Sequence, residues 1–111
     1  MKIEGLPFKN SETCEGVVFA SEKIQHDIAR IQISGRYPSE GWAMNEVSDE
    51  MVYIAKGRGS LIRKDESLQA LEQGDGVFVE AGTWFAWKGD MTIVMSCNPA
   101  FNPDQYKWKE A

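Results

Sequence analysis

The stretch Asp49–Arg63, Asp-Glu-Met-Val-Tyr-Ile-Ala-Lys-Gly-Arg-Gly-Ser-Leu-Ile-Arg, constrains the chain most. Met51–Ala55 is rich in β-branched, aromatic and aliphatic residues, Gly57-Arg58-Gly59 breaks the run, and Leu61-Ile62 resumes an extended pattern. This reads as two short strands around a glycine hairpin, because glycine permits the positive φ that tight turns need. Side chains alternate along a strand, so Glu50 shares a face with Val52 and Ile54. That face belongs to a core, which aims Glu50 into a cavity or its mouth. A carboxylate in such a place must be paired, hydrogen-bonded or protonated.

The rest of the chain repeats this style. His26–Ser34 alternates Ala29, Ile31 and Ile33 against Arg30, Gln32 and Ser34, the pattern of a half-buried strand. Further strands are expected at Val17–Ala20, Trp42–Val47, Ser67–Leu71, Val77–Val79, Trp84–Trp87 and Met91–Ser96, with Gly89-Asp90 as a hairpin between the last two. Asn102-Pro103-Asp104 has an N-cap residue followed by proline, which predicts a short C-terminal helix. Many short strands bounded by Gly and Asp turns indicate an all-β sandwich or barrel. We expect one domain, with residues 1–25 as a lead-in with an edge strand, 26–100 as the barrel and 101–111 as a tail.

Composition narrows the function classes. Twelve basic against seventeen acidic residues give a net charge of −5, which argues against a nucleic-acid or anionic-membrane binder. No apolar run reaches signal-peptide or transmembrane length, so a cytoplasmic location is expected. Cys14 and Cys97 are too few for a disulfide framework and read as two reduced thiols. His26 is the chain's one histidine, and a Cys14–His26 or Ser-His-Asp site would have to use it with no supporting local motif. Gly57-Arg58-Gly59 lacks the third glycine of a dinucleotide loop.

At its two glycine-marked stretches the sequence resembles the cupin superfamily. Glu50, six residues and Gly57 match the second half of the first cupin motif. Gly74, five residues, Glu80-Ala81-Gly82, two residues, Phe85, three residues and Gly89 match the frame of the second. The resemblance implies an all-β double-stranded β-helix, a jelly-roll barrel of two facing antiparallel sheets, and a homodimer. It also implies a divalent metal held by a His-x-His pair, a Glu and a later His. Here the His-x-His positions fall on Met44 and Glu46 in one spacing and on Ala43 and Asn45 in the other, and the later His is Phe85. Of the four ligands only Glu50 remains, so no metal and no cofactor are expected.

By the same analogy the barrel mouth is lined by Trp42, Met44, Glu46, Glu50, Phe85 and Trp87, with Tyr37 nearby. Aromatic and carboxylate groups around an apolar cavity suit a small organic ligand: a sugar, an amine or an organic acid. Three readings are compatible with these residues. The first is a metal-free binding protein with Glu50 as polar anchor. The second is a metal-independent isomerase, epimerase or lyase with Glu50 as general base. The third is a barrel plugged by Met44 and Phe85 that serves as a dimerisation or partner-binding module.

Overall fold

Alternating burial shapes the strands. In Ile28–Tyr37 the side chains of Ala29, Ile31 and Ile33 are buried while Ile28, Arg30 and Ser34 are exposed. The computed structural model describes residues 2–21, 23, 25–65 and 67–111. These form nine β-strands: β1 Leu6–Ser11, β2 Cys14–Phe19, β3 Ile28–Tyr37, β4 Trp42–Asn45, β5 Asp49–Arg63, β6 Leu68–Glu72, β7 Gly76–Val79, β8 Phe85–Asn98 and β9 Tyr106–Lys109. All pair antiparallel in a single curled sheet with the jelly-roll topology. One path runs β1-β2-β3-β8-β4-β9, and β5 joins it along β8 and carries β6 and β7 on its other edge.

Two expected hairpins are absent. β5 continues unbroken through Gly57-Arg58-Gly59, and β8 continues through Gly89-Asp90. The glycines mark where these two long strands pair with their backbones too close for a Cβ, not where they turn. Gly59 pairs with Gly89 and Gly57 with Met91. Gly57 and Gly89 have φ of 81° and 139°, which L side chains avoid. A Cβ on Gly57 would collide with the Asp90 carbonyl oxygen, and one on Gly59 with the Lys88 carbonyl oxygen and then the Met91 side chain. A bulge between Ile54 and Lys56 shifts the register on β8. An extra residue reverses which side chains face inward, so inward positions change from Glu50, Val52 and Ile54 to Leu61.

The expected C-terminal helix is a single 3-10 turn, Pro103–Gln105, leading directly into β9. The capping signal is real: Asn102 Oδ1 accepts a hydrogen bond from Asp104 N at 2.9 Å. The turn stops because Gln105 is buried and bonded to the β4–β5 loop, while Tyr106–Lys109 pair with β4. The lead-in also holds more structure than one edge strand. β1 and β2 form a hairpin that pairs onto β3.

The concave face carries the core: Ile31, Ile33, Val52, Ile54, Leu61, Met91 and Ile93. Full burial of such aliphatic side chains is worth about 1.5–3 kcal/mol each. Ile31, Ile33 and Ile93 of this core also border a cavity inside the curl.

Candidate functional site

This cavity, of ≈ 530 Å³, is walled by β1, β2, β3, β8 and the chain entering β9, with Asn45 of β4 and Glu50 of β5. Its walls are mostly apolar: Val18, Ala29, Ile31, Ile33, Ile93 and Met95 among them. Phe85 and Trp87 line it together from β8, edge to face with ring centroids 6.1 Å apart. Among its lining residues Asn10, Phe101 and Pro103 are exposed and mark the mouth.

Glu50 stands where β5 begins and is 3% exposed. Asn45, the last residue of β4, donates from Nδ2 to Glu50 Oε1. Glu50 Oε2 has no hydrogen-bond partner, alone in this among the buried side-chain nitrogens and oxygens of the described residues. Burial pushes the Glu50 carboxyl up to about 7; the Asn45 bond works against that shift and the Asp27 charge adds to it. An apolar cavity with a buried, incompletely hydrogen-bonded carboxyl in its wall is therefore the central feature of the site.

The other polar groups are more fully committed. Asp27 is buried, and its two carboxylate oxygens accept from Cys97 N at 2.9 Å and Phe101 N at 3.0 Å. The hydroxyls of Tyr37 and Tyr106 hydrogen-bond to one another at 3.1 Å, and both residues line the cavity. Burial, followed by the Tyr106 contact, raises the Tyr37 phenol above its ordinary value. Burial also raises the thiol of Cys14, to about 11, and that of Cys97, so both remain neutral thiols. Both cysteines are free.

The tail is held to the site by Gln105. Its Oε1 accepts from Val47 N at 3.0 Å and Ser48 N at 2.7 Å, and its Nε2 donates to Ser48 Oγ at 2.9 Å. Ser48 Oγ in turn donates to the Pro99 carbonyl at 2.6 Å. This buried network fixes the loop between Asn45 and Glu50 and sets the adjacent Tyr106 in the wall.

Of the residues singled out from sequence, Glu50, Phe85 and Trp87 meet in the cavity, and Tyr37 joins them. Trp42, Met44 and Glu46 do not line it. On β4 the buried positions are Ala43 and Asn45, so alternation turns Trp42 and Met44 outward. Trp42 packs under the Arg36 guanidinium, 5.1 Å from the ring centroid, and Glu46 pairs with Lys107 at 3.4 Å on the surface. Met44 and Phe85 therefore do not plug the barrel together. His26 is exposed and outside the cavity lining. Sequence reasoning missed Asp27 and Tyr106, which carry no local signal. Asn45 was legible as one of two alternative motif positions.

The inward spacing also decides the fit of a metal. It places Ala43, Asn45, Glu50 and Phe85 at the four ligand positions of the cupin motifs. Ala43 and Phe85 have no donor atom and pair with one another across β4 and β8. Asn45 points its Nδ2 at Glu50. One carboxylate against an amide N–H does not make a transition-metal site. Among the described residues no group of three His, Cys, Asp or Glu side chains is arranged to hold a metal ion.

The sequence matches the profile of the EutQ-like cupin domain over residues 37–95, more than half of the chain. The chain belongs to that family. Comparison with curated proteins finds no match. Among solved structures, Streptomyces Pac13, described as a nucleoside dehydratase, superposes with a TM-score of 0.85 at 18% identity, covering 99% of this chain and 91% of that one. A tyrosine-to-phenylalanine variant of the same protein with uridine gives 0.85, 18%, 99% and 90%. Ectoine synthase from P. lautus gives a TM-score of 0.71 at 13% identity, covering 93% of this chain and 80% of that one. These likenesses establish the shared barrel fold.

Proposed function

We propose that this EutQ-like cupin is a metal-independent lyase or isomerase that binds a small organic molecule of about nucleoside size and moves a proton with Glu50. The observation that carries this reading is Glu50, a buried residue in the wall of an apolar cavity, whose Oε2 has no hydrogen-bond partner and whose carboxyl is raised to about 7. A base whose pKa lies near the working pH is both present in its ionised form and strong enough to act. A carboxylate held there only for structure would be costly, because burial of an incompletely paired charge is unfavourable. The likeness to a nucleoside dehydratase with the same barrel supports the choice of an enzyme over a binding protein.

In this reading Glu50 Oε2 removes a proton from a carbon next to a carbonyl. The C–H electron pair becomes a C=C bond. In a dehydration a hydroxyl on the neighbouring carbon departs, and the proton carried by Glu50 leaves with it as water. In an isomerisation the same proton returns to a different carbon. The Tyr37–Tyr106 hydroxyl pair supplies one O–H beyond its mutual bond, suited to the oxygen that gains charge in the intermediate.

Deuterium uptake tests the assignment. The purified protein is incubated in D2O with carbonyl-bearing nucleosides and sugars, and exchange at carbon is followed by NMR. Glu50→Gln should abolish exchange and any elimination while the fold survives. Exchange that persists in Glu50→Gln removes Glu50 as the base, and stoichiometric binding without exchange returns the protein to the binding reading.

The outer sheet face supports a homodimer. Met51 and Phe78 are cross-strand partners and, with Tyr53 and Ile28, are exposed large apolar side chains on strands β3, β5 and β7. Apolar clusters of this kind mark association sites. Light scattering should give twice the chain mass, and Met51→Lys with Phe78→Lys should give a monomer; a wild-type monomer removes the proposal. The net charge of −5 supports partners other than nucleic acid. A cytoplasmic location fits this reading. No helix among the described residues is long and apolar enough to cross a membrane.

A further inference from the structure

The cavity has a one-sided charge inventory. Among the described residues that line it there is no Lys, Arg or His, and two are carboxylates, Asp27 and Glu50. The nearby cations are directed elsewhere. Arg36 lies over the outward Trp42 ring and donates to the Pro38 carbonyl at 2.8 Å, and Lys107 pairs with Glu46. The alternation that turns Ile31, Ile33 and Tyr37 inward on β3 turns Arg30 and Arg36 away. An anion entering this space would lose its water and meet two acids with no cation to replace that hydration.

A cation is served little better. Asp27 already accepts two backbone N–H groups, and Asn45 occupies one oxygen of Glu50. At neutral pH the Glu50 carboxyl is protonated in a large share of molecules. The polar groups of the wall with unused hydrogen-bonding capacity are Glu50 Oε2 and the Tyr37–Tyr106 hydroxyls, which match the hydroxyl, carbonyl and amide groups of an uncharged molecule. The aromatic walls match a flat ring.

We infer that the cavity selects its ligand by charge: it takes an uncharged, nucleoside-sized molecule and rejects the phosphorylated form of the same molecule. This rests on the ligand class proposed above and narrows it. It also fixes a place in a reaction sequence, since a phosphorylated precursor must lose its phosphate before reaching this protein.

Calorimetric titration at pH 7.5 with uridine, uridine 5′-monophosphate and 5′-amino-5′-deoxyuridine tests it. Uridine should bind, with the monophosphate weaker by at least about tenfold, a gap of about 1.4 kcal/mol, and the amine no tighter than uridine. Phe101→Lys, which puts a cation on the exposed rim of the mouth, should narrow the gap between uridine and its monophosphate. Equal or tighter binding of the monophosphate overturns charge selection and leaves nucleoside-sized binding standing. Tighter binding of the amine overturns the preference for an uncharged ligand. Absence of binding by all three overturns the nucleoside-sized ligand class itself, and the selection with it.

Discussion

Asn45 donates to one carboxyl oxygen of Glu50 and leaves the other bare, across the short loop that joins β4 to β5. The bond orients the carboxyl without neutralising it. The motif frame left Asn45 as one of two alternatives beside Glu50, and the structure makes the pair a buried acid with one unpartnered oxygen.

Glu50→Gln should make the protein more stable at alkaline pH and leave it nearly unchanged at acid pH. The folded-state value of about 7 lies above the ordinary 4.5. Between these values the folded protein holds a proton that the unfolded chain has released, so stability falls as pH rises through this window. The contribution is fully present below about 4.5 and lost above about 7, and amounts to roughly 3 kcal/mol. Urea unfolding of both proteins at pH 5 and pH 8 measures it; equal stability differences at the two pH values count against a raised Glu50.

Turnover by Glu50 acting as a base should have the opposite dependence. The ionised form is the base, so kcat/KM should rise with pH and level off above about 7. A pH–rate profile with deuterium exchange as readout checks this. A profile that falls through the same range would make the protonated carboxyl the active form, an acid instead of a base.

Phe85→Ala should cost about 2 kcal/mol, less than the 3–5 kcal/mol usual for truncating a packed Phe. Phe85 packs on Trp87 on one side and borders open space on another. Chemical denaturation supplies the number. A loss of 4 kcal/mol or more would indicate a Phe packed on all sides.

Gln105→Ala should destabilise by about 2–4 kcal/mol. It removes three hydrogen bonds and strands the buried Ser48 N–H. Because Gln105 holds the loop between Asn45 and Glu50, ligand affinity should fall as well. Hydrogen exchange at Val47 and Ser48 reports the loop directly, and unchanged protection there would contradict the clamp.

Gly57→Ala should be among the most damaging single changes, at least about 3 kcal/mol. It combines a φ of 81° with a Cβ placed against the Asp90 carbonyl oxygen. Gly74→Ala is the control. It also has positive φ, 96°, but nothing lies within 4 Å of its Cβ position, so the smaller loss should be the conformational term alone.

Much of the fold was legible in the residues. Alternation placed β3 and the first half of β5, and it put Glu50 on the face of Val52 and Ile54. The motif frame named the cupin architecture, and residues 37–95 match a cupin family. The glycines misled because one local property, tolerance of positive φ, serves both a hairpin and a close pairing of two long strands. Only the partner strand distinguishes them, and Gly59 is paired in register with Gly89. The C-terminal signal was similarly local: Asn102 and Pro103 started a helical turn, and the distant Ser48 and the edge of β4 ended it.

The sequence by itself determined the strand-rich class, the inward carboxylate and the loss of the cupin ligand set, since these follow from residue type and a period of two. Tertiary structure decided the rest. It chose Asn45 over Met44 and Glu46, because a one-residue change of frame on β4 reverses the face. It brought Asp27, Tyr37 and Tyr106 to the cavity from separate parts of the chain. It also left that cavity open, because a void is set by how β3, β8 and the tail curl around Glu50, and no single stretch of sequence records that curvature.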